Sequence, residues 1–238
     1  MNLCIDIGNT NIKIAYYKNN ILQQSYCEPS EAIFSADNNI FLKYKLETIK
    51  NIIISSVVPE ILEKVKDRAK NDLGIEPVIV DAGFNFGFNV EYDLAQIGID
   101  RLIAMFGAKK KLNKKNILLI DFGTAVTIDL LKQDVFKGGI IFPGMNLCFK
   151  SLAETSELPE IEFEKSENLL GLNTKTAINA GVFYGICGLV DFYINKFNNL
   201  EDICVVATGG YCDLFSKEIK FNSIDKNLVL DGLNFCAV

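Results

Sequence analysis

The sequence contains no histidine among its 238 residues. This absence excludes Ser-His-Asp triads, histidine-ligated metals and imidazole general bases. Any acid–base chemistry must therefore rest on Asp, Glu, Lys, Tyr or Cys side chains.

Basic charge is also scarce, since the net charge is −6 and the isoelectric point is near 4.9. A protein that mainly clamps nucleic acid normally carries a basic face, so we expect no nucleic-acid partner. The one basic run comprises Lys109–Lys111, Lys114 and Lys115. It is typical of the last turn of a helix that faces water.

The 7 cysteines include no Cys-x-x-Cys pair, which favours free thiols in a reducing cytoplasm over disulfides or zinc. No apolar run reaches the about 18 residues that a membrane span needs. The N-terminus lacks the basic and apolar regions of a signal peptide. We therefore expect a cytoplasmic protein with no membrane partner.

The first motif comprises residues 6–13. An apolar strand ends in Asp6, a polar turn follows from Gly8 to Asn11, and a second apolar strand begins at Ile12. Gly and Asn tolerate the positive φ of tight hairpin turns, and such a turn directs N–H groups outward as a cup for phosphate. Asp6 would repel phosphate unless a cation lay between them, so the motif predicts a metal–nucleotide site. Taken alone, it is equally compatible with an ordinary surface turn.

The same motif recurs at residues 117–131, where an apolar strand ends in Asp121 and is followed by Gly123, Thr124 and a second strand. Two copies, each opening one half of the chain, indicate a duplicated unit. Two such hairpins would hold one metal–phosphate group from both sides.

The hydrophobic periodicity predicts further strands and helices in both halves. The strands are predicted at 49–58, 76–81, 203–207 and 228–230, and the helices at 59–73, from Asp100 onward, 146–158, 173–197 and 211–219. These elements predict an α/β fold with two domains, residues 1–113 and 114–238, and a cleft between them.

Four features leave two readings open. The aromatic loop 82–92 either packs on the core or forms the wall of a substrate pocket or a subunit contact. Asp100 is either a plain helix cap or a functional carboxylate. The turn Thr208-Gly209-Gly210 before a helix either only turns the chain or receives a nucleotide. The last feature is a stripe of small residues that would allow a close helix contact within or between chains, at Gly181, Gly185 and Gly188.

Several short motifs follow one another in order: Asp-Ile-Gly-Asn-Thr-Asn at 6–11, Ser-Ser-Val-Val-Pro at 55–59, Gly-x-Asp-Arg at 98–101, Asp-Phe-Gly-Thr-Ala at 121–125, Gly-Gly-x-x-x-Pro-Gly at 138–144, Asn-Thr at 173–174 and Ala-Thr-Gly-Gly at 207–210. Together they resemble the type III pantothenate kinases of the sugar kinase, heat-shock ATPase and actin superfamily. The resemblance implies two ribonuclease-H-like domains that bind ATP between them. It also implies a cytoplasmic homodimer that uses ATP, magnesium and potassium or ammonium to phosphorylate pantothenate, the first step towards coenzyme A.

The resemblance assigns roles to individual residues. The ATP side comprises Asp6, Ile7, Gly8, Asn9, Thr10, Asn11, Ile12, Lys13 and Thr124. The pantothenate side comprises Tyr92, Gly98, Ile99, Asp100, Arg101 and Thr174. The metal ligands are Asp6, near magnesium, and Asp121, at the monovalent cation. Two positions depart from the family pattern, since Lys13 replaces a small or apolar residue and Leu172 replaces a basic one.

The resulting hypothesis makes Asp100 the general base that accepts the proton of pantothenate's primary hydroxyl. Arg101 would bind the carboxylate of pantothenate, the alternative being a surface salt bridge. Two other functions remain open: a kinase of another small hydroxylated acceptor, such as a sugar, and a non-catalytic nucleotide-binding regulator.

Overall fold

The computed structural model describes residues 1–31, 49–155, 158, 161–164 and 168–237, which divide into two compact units. Unit 1 comprises residues 1–113 and 227–238, and unit 2 comprises residues 114–226. The sequence prediction assigns residues 227–238 to the second domain, whereas in the structure they group with unit 1.

Unit 1 contains a five-stranded sheet with the order β3-β2-β1-β4-β5. Its strands are β1 (Asn2–Ile7), β2 (Asn11–Lys18), β3 (Ile21–Pro29), β4 (Asn51–Ser56) and β5 (Val78–Ile79). Strand β1 runs antiparallel to β2 and parallel to β4. This register places Asp6 between Lys13 on one side and Ser55 on the other.

The helices of unit 1 are α1 (Pro59–Leu73), α2 (Ile99–Leu112) and, from the end of the chain, α6 (Leu228–Phe235); a short strand, β6 (Asn89–Val90), precedes α2. The prediction for α1 is confirmed at both ends, because Pro59 occupies its first turn and Gly74 caps it. Ile61 and Val65 bury one face of α1 against Ile54 of the sheet.

Unit 2 repeats this strand order, since its strands follow one another as β11-β10-β7-β8-β9. Their bounds are β7 (Ile117–Phe122), β8 (Ala125–Lys132), β9 (Val135–Pro143), β10 (Cys204–Thr208) and β11 (Ser223–Ile224). Strand β7 runs antiparallel to β8 and parallel to β10, so Asp121 lies between Thr127 and Thr208.

The helices of unit 2 are α3 (Met145–Thr155), α4 (Thr174–Phe197) and α5 (Cys212–Phe215). The predicted start of α4 is confirmed, because the side chain of Asn173 accepts a hydrogen bond from the backbone N–H of Thr176 in a capping box. The core beneath the sheet is aromatic, with the ring of Phe215 stacked on those of Phe122 and Phe183.

Three predictions of local structure are wrong. Residues 228–230 form the start of α6 rather than a strand, because a short apolar run does not distinguish the two and the contact with α2 decides. Helix α5 ends at Phe215 rather than at residue 219. Residues 8–11 have no positive φ; the left-handed residues of the hairpins are Asn19–Asn20 and Gln133–Asp134.

The sequence contains no apolar run long enough to span a membrane, but helix α4 is long and apolar enough by overall composition. It is the one helix of the described residues that is long and apolar enough to cross a membrane, with a mean hydropathy of 1.5. Length and composition alone are weak evidence, because core helices pass the same test. Val182, Phe183 and Ile186 of α4 belong to the core of unit 2.

The glycine stripe of α4 is not a helix contact within the described chain. The stripe comprises Gly181, Gly185 and Gly188. A Cβ atom added at any of these glycines would meet nothing within 4 Å. The expectation of free thiols is confirmed, since all seven cysteines are free.

Candidate active site

Asp6 is a buried carboxylate at the end of a central strand. The residue is 8% exposed, and Ser55 Oγ donates a hydrogen bond of 2.9 Å to its Oδ1. Burial raises the pKa of Asp6 from 3.8 to about 6. Lys13 lowers that pKa, Asp100 raises it, and the bond from Ser55 lowers it.

The turn after Asp6 is fastened by Ser30, at the far end of β3. Ser30 Oγ donates to the carbonyl of Gly8 at 2.7 Å, and the N–H of Ser30 donates to the carbonyl of Thr10 at 2.9 Å. The N–H of Gly8 donates to the carbonyl of Asn11 at 3.0 Å, which closes the turn. Asn9 and Thr10 are exposed at its tip. The loop is therefore held in place while its tip stays open to a ligand.

Asp100 lies in the first turn of α2, as predicted, but it is not the N-cap. Gly98 holds that position and makes no side-chain cap. The carboxylate of Asp100 folds back so that its Oδ1 accepts the N–H of Arg101 at 3.0 Å. A Cβ atom at Gly98 would collide with this oxygen, so the glycine makes room for the carboxylate. Negative charge is favoured at this end of a helix.

Arg101 is buried, with 7% of its surface exposed, which contradicts the alternative of a surface salt bridge. Its guanidinium carbon lies 5.3 Å from the centroid of the Tyr92 ring. Tyr92 and Arg101 thus form one surface next to Asp100. In the aromatic loop that precedes them, Phe86 is buried against Phe106 of α2, which confirms core packing for that residue.

The second Asp turn is one residue shorter than the first. Strand β7 ends at Phe122 and β8 begins at Ala125, so Gly123 and Thr124 form the whole connection. The N–H of Gly144 donates to the carbonyl of Thr124 at 3.0 Å, which brings the start of α3 against the turn. Thr124 is exposed on it.

The Thr208–Gly210 turn lies directly beside Asp121. Gly209 has a φ of +90°, and a Cβ atom there would collide with Asp121 Oδ1. On the far side of the turn, Asn146 Nδ2 donates to Tyr211 Oη at 2.9 Å. The two predicted nucleotide elements of unit 2 are therefore brought together at the carboxyl ends of β7 and β10, where α/β sheets commonly bind ligands.

Thr174 lies at the start of α4 and is exposed. It lines a cavity of about 1200 Å³ within unit 2, formed by one side of α3, the exposed side of α4 and the end of β9. Leu172, the second departure from the family pattern, is 92% exposed at the same rim.

Comparison with known proteins identifies the family. A model of the type III pantothenate kinase family matches residues 2–196. The type III pantothenate kinase of Legionella pneumophila (strain Paris) is 32% identical over 252 residues, covering 100% of this chain and 98% of the relative. That of Fusobacterium nucleatum subsp. nucleatum is 36% identical over 247 residues, covering 96% and 95%.

The chain belongs to the type III pantothenate kinase family.

Solved structures agree on the fold. A protein from Campylobacter jejuni described as a Baf family transcriptional activator aligns with a TM-score of 0.67 at 22% identity, covering 98% of this chain and 96% of that chain. A ROK family glucokinase from Streptomyces griseus aligns with a TM-score of 0.50 at 11% identity, covering 99% and 98%. At these identities the likeness concerns the fold alone, which this chain shares with both structures.

A kinase of this family uses ATP together with a divalent metal ion, and the carboxylates of unit 1 fit the case in which that ion is magnesium. Among the described residues, no group of three or more His, Cys, Asp or Glu side chains could hold a metal. Magnesium that arrives on a nucleotide keeps most of its water and needs only one or two carboxylates. Asp6, whose ionised form is disfavoured by burial, would be stabilised by such a cation.

The structure places the predicted residues in two groups. Unit 1 holds the loop at 6–13 and the segment 98–101, and the charge of Asp100 raises the pKa of Asp6. In unit 2 Asp121 and Thr124 adjoin the Thr208–Gly210 turn, whereas Thr174 lies on the separate rim of the α3–α4 cavity.

Sequence reasoning missed the residues that fasten these groups. The Ser-Ser-Val-Val-Pro motif contains Ser55 but does not indicate its role, which arises because Ser55 lies beside Asp6 in the strand register. Ser30, Asn146 and Tyr211 carry no local signal, because their bonds join residues far apart in sequence.

Proposed function

We propose that the chain transfers the γ-phosphoryl group of ATP to the primary hydroxyl of pantothenate, the first step towards coenzyme A, with Asp100 as the general base. Family membership supports the reaction. The observation that carries the catalytic assignment is the position of Asp100 in the first turn of α2, next to the buried Arg101 that packs on Tyr92.

Asp100 suits a base that orients the attacking hydroxyl. Phosphoryl transfer asks a protein mainly for positioning and charge neutralisation, with one group to accept the proton. The chain has no histidine, so a carboxylate takes this part. The N–H of Arg101 fixes one oxygen of Asp100, which leaves the other to accept the proton.

Arg101 and Tyr92 are proposed to bind pantothenate. The guanidinium offers paired donors to the carboxylate of pantothenate. Because Arg101 is already stacked on Tyr92, little side-chain freedom remains to be lost on binding. Gly98 and Ile99 form the backbone of the same segment, and Thr174 is proposed as a further contact of the substrate.

The loop at residues 6–13 and Thr124 are proposed to bind the phosphates of ATP. Asn9 and Thr10 expose polar groups at the tip of that loop, which is the arrangement an anion cup needs. Asp6 would hold magnesium, which neutralises phosphate charge when bound.

Asp121 is proposed as the ligand of a monovalent cation, potassium or ammonium. Its carboxylate lies beside the Gly123–Thr124 turn and the Gly209 backbone, an environment of oxygen donors such as hard cations prefer. The assignment comes from the family resemblance and predicts an activity that depends on the cation.

A homodimer in the cytoplasm completes the proposal. The exposed glycine stripe of α4 would let a helix of a second copy approach closely. Apolar side chains stand exposed beside the start of α4, at Leu169, Leu170 and Leu172. The free thiols suit a reducing compartment. Sedimentation analysis should show a dimer; a monomer at micromolar concentration would contradict it.

The test is an ADP-release assay with pantothenate, N-acetylglucosamine and glycerol as acceptors, each with and without potassium. Of the three acceptors, we expect only pantothenate to cause ADP release, and we expect potassium to increase the rate of that release. Faster release with either other acceptor would indicate a different kinase, and ATP binding without turnover would indicate a regulator.

A further inference from the structure

The C-terminal helix α6 fastens the end of α2 that lies farthest from Asp100. With a rise of 1.5 Å per residue, Lys111 lies about 16 Å along α2 from Asp100. Lys111 Nζ donates a hydrogen bond of 2.6 Å to Asp231 Oδ2 of α6. Tyr17 Oη of β2 donates one of 2.6 Å to Asp231 Oδ1. The carboxylate of Asp231 therefore joins α2 to the strand that leaves the Asp6 loop.

Helices α2 and α6 also touch backbone to backbone. A Cβ atom at Gly107 of α2 would collide with the carbonyl oxygen of Leu228, and one at Gly232 of α6 would collide with that of Ile103. Main chains in direct contact have no side chains that can yield between them. This crossing therefore allows little change in the angle of α2.

Asparagine side chains fix α6 to the sheet in turn. Asn2 Nδ2 donates to Asn234 Oδ1 at 3.0 Å, and Asn51 Nδ2 donates to Asn2 Oδ1 at 3.0 Å. Asn234 Nδ2 donates to Asn20 Oδ1, also at 3.0 Å. Helix α6 is thus bonded directly to Asn2 of β1 and to Asn20 in the turn after β2, and it reaches β4 only through Asn2. Strands β1 and β2 form the hairpin that carries Asp6.

We infer that Asp231 is a positioning residue for the phosphoryl transfer. Asp6 lies on β1 and Asp100 lies on α2, so their separation depends on how α2 is held against the hairpin. We call Asp231, Lys111 and Tyr17 the Asp231 clamp. The clamp fixes the direction of the α2 axis relative to the hairpin, and it does so at the end of α2 that is farthest from Asp100. The inference rests on the proposed function, because it assumes that Asp100 and Asp6 act in one reaction.

The chemistry of the clamp suits this part. The side chain of Asp231 is only 11% exposed, so removing one partner leaves a charge that water solvates poorly. A carboxylate that accepts from two elements at once fixes a direction as well as a distance. Small displacements of a positioned base cost large factors in rate.

The experiment measures kcat and the KM for ATP of clamp variants, with ATP varied at saturating pantothenate. Asp231→Asn keeps the shape and the acceptor for Tyr17 but loses the charge. We expect kcat per folded molecule to fall by about tenfold or more while the KM for ATP stays unchanged. Lys111→Met should give the same loss, and Lys111→Arg should restore most of the activity. The double variant Asp231→Asn/Lys111→Met should be no worse than either single one.

A surface ion pair in unit 2 supplies the control. Lys114 Nζ lies 2.7 Å from Asp202 Oδ2, and the side chains of Lys114 and Lys111 are both 37% exposed. The side chain of Asp202 is 69% exposed, so this pair measures the loss of an ion pair away from the proposed site. We expect Asp202→Asn to keep the wild-type kcat. If Asp231→Asn does not fold, the partly exposed Lys111→Met carries the test.

Two results would overturn the positioning role. The first is a clamp variant with the kcat of Asp202→Asn. The second is a loss of total activity that is fully explained by a smaller folded fraction, as measured by circular dichroism. If the wild-type chain itself releases no ADP with pantothenate, the proposed function fails and the inference falls with it. An active wild type beside an unaffected clamp variant overturns the inference alone.

Discussion

Units 1 and 2 repeat one framework of strands. The first three strands of each have six, eight and nine residues, and the strand orders correspond. The second hairpin turn of each unit holds two non-glycine residues with positive φ, at Asn19–Asn20 and Gln133–Asp134. Asp6 and Asp121 occupy the same penultimate position of their strands. The duplication inferred from two short motifs therefore extends through the whole sheet.

The surroundings of the two carboxylates differ. Asp6 faces Lys13 across the hairpin and accepts a hydrogen bond from Ser55. Asp121 faces Thr127, and the backbone of Gly209 packs on it. The framework places a carboxylate at each strand end, whereas the neighbouring strands decide what that carboxylate can do. Unit 1 adds Asp100, which is why we assign the chemistry to it.

The largest effect should come from Asp100→Asn. Loss of a general base lowers the rate by about 10²–10⁴-fold, so kcat should fall by that range while ATP still binds. Steady-state kinetics with calorimetry of ATP binding measures both. Asp121→Asn, a change at the other proposed carboxylate, should instead reduce the response to potassium. Near-wild-type turnover in Asp100→Asn would place the base elsewhere.

Asp6→Asn should stabilise the protein in the absence of ligand. The folded pKa of about 6 lies above the ordinary 3.8, so the folded state binds the proton more tightly. Stability is therefore complete below pH of about 4 and falls as the pH rises through about 6. Near pH 8 the variant should be more stable by up to about 3 kcal/mol in urea unfolding. An equal change near pH 4 would contradict this account.

Gly209→Ala should destabilise unit 2. The substitution forces a side chain into a φ of +90° and against Asp121, and such strain costs about 1–3 kcal/mol. Gly210→Ala is the control in the same turn, since a Cβ atom there meets nothing within 4 Å. Thermal unfolding should separate the two variants. Equal melting temperatures would show that the contact with Asp121 relaxes freely.

Lys13→Thr should give the smallest effect of the four changes. It places opposite Asp6 the residue type that lies opposite Asp121 in unit 2, which is Thr127. Lys13 lowers the pKa of Asp6, so its removal should raise that pKa further. The acidic limb of kcat/KM for ATP should then move to higher pH in a pH–rate profile. A shift to lower pH would mean that another group controls this limb.

Local patterns predicted the elements whose signals lie within a few residues of one another. The strand–Asp–turn motifs, Pro59 at the start of α1 and Asn173 at the start of α4 are of this kind, and the structure confirms these elements. The position of Asp100 in a first helical turn also followed from its neighbours in the sequence.

Contacts between distant segments explain what the sequence did not predict. Residues 228–230 become helical because Gly232 meets Gly107 of α2, which lies more than a hundred positions earlier. Ser30 and Ser55 reach the Asp6 turn through strand pairing, so no nearby residue signals their roles. The site residues were located by motif, whereas the groups that hold them are visible only in the fold.

The most direct test of the central claim is transfer of label from [γ-³²P]ATP to pantothenate, with wild type and Asp100→Asn assayed side by side. The account predicts labelled 4′-phosphopantothenate in an amount equal to the ADP formed, and a loss of about 10²–10⁴-fold in the variant. Label that appears only in inorganic phosphate, or an equal yield from both proteins, would contradict it.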